Sequence, residues 1–230
     1  MASPSAAAII LHDLGEDSGA YVKLANRMSL VGISAYAMDL RGHGNSCGDR
    51  GHAESLDRMV RDVELFVNLV YSKENMKPFL VGQGFGALLA VIYAARGDVA
   101  GLVLSSPLVT LKGVDNYVRG LKASLMNIVV AKKRVLVPLG SKVRITIRLL
   151  REISKAVTRL EKYAKKVRQP VCVMYDPNSN VIDPGAVKSF FDELGSRDKS
   201  LVELSGGYRL LGNSEEAIRV ATDWILERTK

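Results

Sequence analysis

The chain has no uninterrupted apolar run of the roughly 18 residues a membrane span needs. Cysteine is confined to Cys47 and Cys172, far apart, which excludes a disulfide framework and makes a reducing cytoplasm the expected location. The opening stretch, Met1 to Leu11, lacks the basic start of a secretory signal, and its apolar part reads as a buried strand. Histidine is scarce as well: His12, His43 and His52 are the only three, and none follows position 52. Any chemistry that needs an imidazole from the last three-quarters of the chain is therefore excluded. Neither a metal-ligand pattern nor an internal repeat is present, and no metal or cofactor is expected.

What remains is an alternation of strands and helices over 230 residues, enough for one sizeable core. The continuous apolar run Ala6–Leu11 and the largely apolar stretches Ile33–Met38, Pro78–Val81, Val99–Leu104, Pro170–Tyr175 and Ser200–Leu204 read as strands. Between them, helical spacing covers Ser18–Leu30, Glu54–Tyr71, the stretch after Gly84 to about Arg96, Gly185–Leu194 and Ser214–Glu227. Buried strands alternating with amphipathic helices predict an α/β fold, a mostly parallel sheet with helices on both faces.

The net charge of +8 is unevenly placed. From Leu111 to Arg168 there are 16 Lys/Arg against three acidic residues, a local +13 that leaves −5 for the rest. Leu111–Leu139 reads as irregular. Arg144–Arg168 reads as a long helix, with Leu149, Leu150, Ile153, Val157, Leu160, Ala164 and Val167 on one stripe. This insertion divides the chain into a first core part (1–107), a basic helical cap (108–168) and a second core part (169–230). It falls between two strands, above their carboxyl ends, where open α/β sheets bind ligands.

The most informative stretch is Phe79-Leu80-Val81-Gly82-Gln83-Gly84-Phe85-Gly86-Ala87. An apolar strand enters a turn with glycines two apart, the spacing of the G-x-S-x-G nucleophile elbow, and the turn opens a helix. Gly84 stands where the nucleophile belongs, and glycine has no side chain to attack with. The same residues match the dinucleotide pattern G-x-G-x-x-A. That match is weak, because no acidic residue closes the following strand, which ends Ser105-Ser106.

Three further stretches resemble one family. His12-Asp13-Leu14-Gly15-Glu16-Asp17-Ser18 is similar to an H-G-x-G-E-H-S oxyanion loop, and Asp39-Leu40-Arg41-Gly42-His43-Gly44-Asn45-Ser46 to a D-x-R-G-H-G-x-S loop. Leu104-Ser105-Ser106-Pro107-Leu108 resembles the strand end that precedes the cap. Together they resemble the monoacylglycerol lipase and lysophospholipase-like (serine aminopeptidase-type) branch of the α/β-hydrolase superfamily, over about 1–108 and 144–230. The family's opening hairpin is missing from the pattern. The resemblance implies a nucleophile at Gly84, an acid at Ser179 (from Val181-Ile182-Asp183-Pro184) and a base at Arg209 (from Gly206-Gly207-Tyr208-Arg209-Leu210-Leu211). It also implies oxyanion donors at the Leu14 and Phe85 amides, with Asp13 where the loop has glycine.

Without the alignment the conclusion is similar. The triad of this fold runs Ser, acid, His along the chain, an order that three early histidines cannot supply. Arginine stays charged at neutral pH and cannot act as a general base. The expectation is a catalytically degenerate hydrolase homologue that binds rather than cleaves, with His12, Asp13 and Arg209 as candidate ligand contacts. The alternative is a residual esterase or lysophospholipase whose catalytic set has moved, drawing on His12, Cys47, Asp176 or Asp183. The basic cap suits an anionic lipid or membrane surface, giving a peripheral membrane contact, or an acidic protein partner. Nucleic acid is disfavoured, since only Tyr117 and Tyr163 offer stacking there.

Overall fold

The computed structural model describes residues 3–111, 132–139 and 141–229. Strand β1 (Ala6–Leu11) is buried at every position, as a strand covered on both faces must be. A short 3-10 turn, Ser18–Tyr21, leads into α1 (Val22–Leu30), so the expected helix over 18–30 begins in tighter winding. Strand β2 (Ile33–Met38) follows. Then α2 (Leu56–Glu74) starts where the Ser55 side chain accepts the Arg58 amide, and stops where Asn75 turns left-handed. Strand β3 (Phe79–Gln83) runs into α3 (Phe85–Ala94), and β4 (Gly101–Ser105) completes the first half.

After residues 112–131, which lie outside the described residues together with most of the stretch expected to be irregular, comes a departure from expectation. Arg134–Leu139 and Ser141–Thr146 form an antiparallel pair, β5 and β6. The helix expected over 144–168 therefore starts only at Ile147: β-branched Ile145 and Thr146 pair with Val135 and Arg134 instead. Thr146 then caps α4 (Ile147–Thr158) by accepting the Leu149 amide, and a break at Arg159 separates α5 (Leu160–Ala164). The expected stripe is correct in its facing: Leu149, Leu150 and Ile153 are wholly buried, each contributing about 1.5–3 kcal/mol.

The alternation resumes with β7 (Val171–Tyr175), α6 (Pro184–Glu193), β8 (Lys199–Glu203), α7 (Leu210–Asn213) and α8 (Glu215–Glu227). Six strands form one all-parallel sheet in the order β2-β1-β3-β4-β7-β8. One core, with α2, α3, α4, α5 and α6, lies on one face; α1, α7 and α8 cover the other. The carboxyl ends of β1, β3, β4 and β7 meet at one rim, with the loops after them converging there.

Candidate functional site

The elbow is built as the glycine spacing implies. A Cβ on Gly82 would lie 2.5 Å from the Ala87 nitrogen, and one on Gly86 would lie 2.1 Å from the Leu11 carbonyl oxygen. Strand and helix therefore touch at distances that exclude any side chain. Gly84 sits between them at φ 54°, ψ −110°, with its N–H donating to the Ser105 carbonyl. It is a strand-to-helix turn with nothing at its tip.

The space above the tip is filled. A Cβ on Gly84 would lie 2.3 Å from both Asp13 Oδ1 and the Tyr208 hydroxyl oxygen. Asp13 Oδ1 accepts the Phe85 amide at 2.7 Å, and the Leu14 amide and Tyr208 hydroxyl also stabilise this carboxylate. The two amides expected to hold an oxyanion thus converge on a resident carboxylate, supplied by the same loop. Burial raises the Asp13 carboxyl from 3.8 to about 7, helped by the charge of Glu16 and opposed by the amides.

Glu16 ties the cluster to the C-terminal loop. Its Oε2 accepts from the Tyr21 hydroxyl at 2.5 Å and from the Asp13 amide at 3.2 Å. Its Oε1 faces Arg209 Nε at 2.8 Å; the N–H is not aimed at the oxygen, so this contact is an ion pair rather than a hydrogen bond. Gln83 holds the loop from below: its amide donates to the Tyr208 carbonyl, and its Oε1 accepts from the Ser105 hydroxyl and the Leu211 amide.

Expected as ligand contacts, His12, Asp13 and Arg209 are instead each engaged internally. His12 Nε2 accepts the Leu40 amide at 2.9 Å, which places the proton on Nδ1, donating to the Asp13 carbonyl at 2.6 Å. Both ring nitrogens are committed, and burial lowers the ring's pKa. His43 packs 5.3 Å from it, donates to the Arg41 carbonyl and is pushed down to about 4 by burial. The third histidine, His52, pairs with Thr146 and fastens the glycine-rich loop to β6.

The acids offered for a relocated set are likewise structural. Asp176 accepts the amides of Gly207, Asn178 and Gly206, which hold its carboxyl below the usual range and shape the turn before Tyr208. Asp183 caps α6 by accepting from Gly185 and Ala186. Ser179 stands in the turn after β7, where its hydroxyl accepts the Val181 amide. Cys47 is exposed in a cleft of about 360 Å³ against α2, away from the elbow. Among the described residues no cluster of His, Cys, Asp and Glu could hold a metal.

Sequence reasoning missed Tyr208, Glu16 and Gln83. Each lies inside a stretch singled out for its neighbours, yet only the fold shows that they meet.

One prediction follows from the buried carboxyl. Asp13 holds its proton more tightly folded than unfolded, so its contribution is fully present below about 4 and is lost as pH rises through about 7. Asp13→Asn cannot ionise, and its melting temperature relative to wild type should climb between pH 4 and pH 8. Parallel melting profiles across that range would contradict the placement.

A parallel sheet with an elbow at its carboxyl rim and an inserted segment after the following strand defines an α/β-hydrolase fold. The model of the family described as serine aminopeptidase, S33, matches residues 2–141 and 129–214, and the chain belongs to that family. It is 26% identical to human monoglyceride lipase over 259 residues, covering 99% of this chain and 84% of that one. It is 27% identical over 251 residues to an abhydrolase domain-containing protein of Dictyostelium discoideum, covering 98% of this chain but about a quarter (27%) of that relative. The crystal structure of a monoacylglycerol lipase from Paleococcus ferrophilus superposes with a TM-score of 0.85 at 24% identity, over 99% of this chain and 97% of that one.

Proposed function

We propose that this member of the family does not hydrolyse esters and acts by binding through a retained hydrolase frame. The observation that carries the reading is the Asp13 carboxylate, which lies against the Phe85 amide 2.3 Å from where a Gly84 side chain would begin. It replaces the developing oxyanion with a resident acid and opposes negative charge there. With Gly84, Ser179 and Arg209 at the expected triad positions, no attacking oxygen, orienting acid or imidazole base comes together. Losing a triad costs about six orders of magnitude in turnover, and the filled oxyanion site removes part of the background that would survive.

The relocated esterase has no support in the arrangement. His12 has no free nitrogen, Asp176 and Asp183 cap backbone amides, and Cys47 has none of the three histidines as a described hydrogen-bond partner. Turnover of p-nitrophenyl esters by purified protein is expected at the level of the denatured control; saturable turnover well above it would overturn the reading.

The binding surface we assign to it is the basic insertion. Lys132, Lys133, Arg144, Arg159, Lys162 and Lys166 are exposed, with no carboxylate partner among the described residues. Membrane phospholipid is the favoured partner, since the insertion adds an amphipathic basic helix to a lipase-type fold. Co-sedimentation should rise with the anionic lipid content of vesicles and fall steeply with salt. Binding indifferent to both would remove the membrane reading.

A further inference from the structure

We propose that the chain carries an anion-binding cleft at the end of the sheet opposite the elbow, built by Arg168 and Arg197 and suited to a phosphate monoester. Strands β7 and β8 are parallel neighbours, with Val171 beside Lys199, so the segments that lead into them lie side by side. One runs from α5 to β7 and brings Arg168 and Pro170. The other runs from α6 to β8 and brings Gly195, Arg197 and Asp198. Together they line a cleft of about 640 Å³. It opens at the amino ends of the strands, whereas Gly84 follows the carboxyl end of β3.

The charges at the cleft do not cancel. Asp198 is the acid in its lining, and Arg228 takes both carboxylate oxygens, at 2.6 and 2.9 Å. Nearby acids are engaged too: Glu193, at the end of α6, pairs with Lys165, and Asp98, before β4, with Lys77. Asp192 stands outside the lining, beside Lys199. Arg197 is exposed and has no hydrogen-bond or ion-pair partner among the described residues. Arg168 donates from Nη1 to the Gly195 carbonyl at 2.9 Å, a bond to a neutral group that leaves its charge uncompensated. Two positive charges therefore remain.

Arg168 is also held in place. A Cβ on Gly195 would overlap Arg168 Nη1 and lie 2.5 Å from the Lys165 carbonyl oxygen, so the guanidinium occupies space that a side chain at 195 would fill. Gln169 fixes the backbone beside it: its Oε1 accepts the Arg168 amide, and its side-chain amide donates to the Gly97 carbonyl, both at 3.1 Å. A planar fork fixed in this way loses less freedom on binding than a loose one.

The ligand class follows from the charge. A carboxylate carries one negative charge, whereas a phosphate monoester carries about 1.5 to 2 near neutral pH and presents three acceptor oxygens. Arginine bonds such oxygens in pairs. The cleft is within the range of small-ligand sites, about 300–1,000 Å³, which leaves room for the esterified group against Pro170. Soluble esters and phosphatidic acid headgroups present the same group. None of the residues assigned above to the membrane surface lines this cleft, so the proposal does not rest on that reading.

Two probes test it: calorimetric titration with glycerol 3-phosphate in a phosphate-free buffer, and flotation with vesicles containing phosphatidic acid or, at matched surface charge, phosphatidylglycerol. Arg197→Ala removes an exposed, unpaired side chain, so the melting temperature should hold while affinity for the monoester falls about tenfold or more. Arg168→Lys keeps the charge without the fork and should weaken binding as well. Lys162→Ala, exposed on α5 outside the lining, should change nothing. A loss in Arg197→Ala with glycerol 3-phosphate supports the cleft and assigns a soluble ester. A loss confined to the preference for phosphatidic acid over phosphatidylglycerol supports it and assigns a lipid head. Wild type and Arg197→Ala alike toward both probes, or a loss matched by Lys162→Ala, would overturn the proposal and leave vesicle binding through the insertion to its own test.

Discussion

Gly84→Ser, the substitution that restores the nucleophile of the family pattern, is expected to leave ester turnover at background and to lower the melting temperature by about 5–15 °C. Two costs add. A side chain at φ 54°, ψ −110°, a sparsely populated region for any residue but glycine, carries about 1–3 kcal/mol of backbone strain. Its Cβ would also overlap Asp13 Oδ1 and the Tyr208 hydroxyl, each 2.3 Å away, and displacing well-packed groups costs about 1–3 kcal/mol. Because the second cost belongs to a contact, the effects should not be additive. Adding Asp13→Gly removes the carboxylate, and the double variant should recover part of what Gly84→Ser loses. A melting temperature equal to wild type in Gly84→Ser would mean that the space above the turn is open.

Gly86→Ala should be more damaging, although it is the smaller change. The new Cβ would lie 2.1 Å from the Leu11 carbonyl oxygen and 2.7 Å from that of His12, and both are backbone atoms of the neighbouring strand and its loop. No rotamer can relieve such an overlap, so helix and strand must separate. The expected loss exceeds about 4 kcal/mol, enough to deplete soluble protein or collapse its thermal transition. A native-like melt would show that α3 does not lie as close to β1 as described. Paired with the first result, this one separates two roles of the elbow: Gly82 and Gly86 serve the packing of the fold, whereas Gly84 marks where chemistry would have been.

Much of this was legible before the fold was known, because much of it is local. Apolar runs place the strands of the parallel sheet, and glycines two apart place the elbow. The absence of histidine beyond position 52 argues against the triad without any coordinates. The insertion is less legible: Ile145, Leu149, Leu150 and Ile153 continue one helical spacing, and only pairing with Val135 and Arg134 turns 145–146 into strand. Long-range pairing overrides local pattern there.

The filled oxyanion site was legible only in part. An acid in the place of the loop glycine is visible at Asp13. Its aim at the Phe85 amide, 72 residues away, and its meeting with Tyr208 depend on bringing three separate loops to one rim. The same holds for Arg209, whose charge reads as an anion site until Glu16 is found beside it.

Intact-mass analysis after incubation with a fluorophosphonate probe goes most directly to whether this protein retains an attacking group. The mass should stay that of the unmodified chain under conditions that phosphonylate an active serine hydrolase to completion. A stoichiometric adduct, mapped to any side chain and abolished by unfolding, would contradict the account.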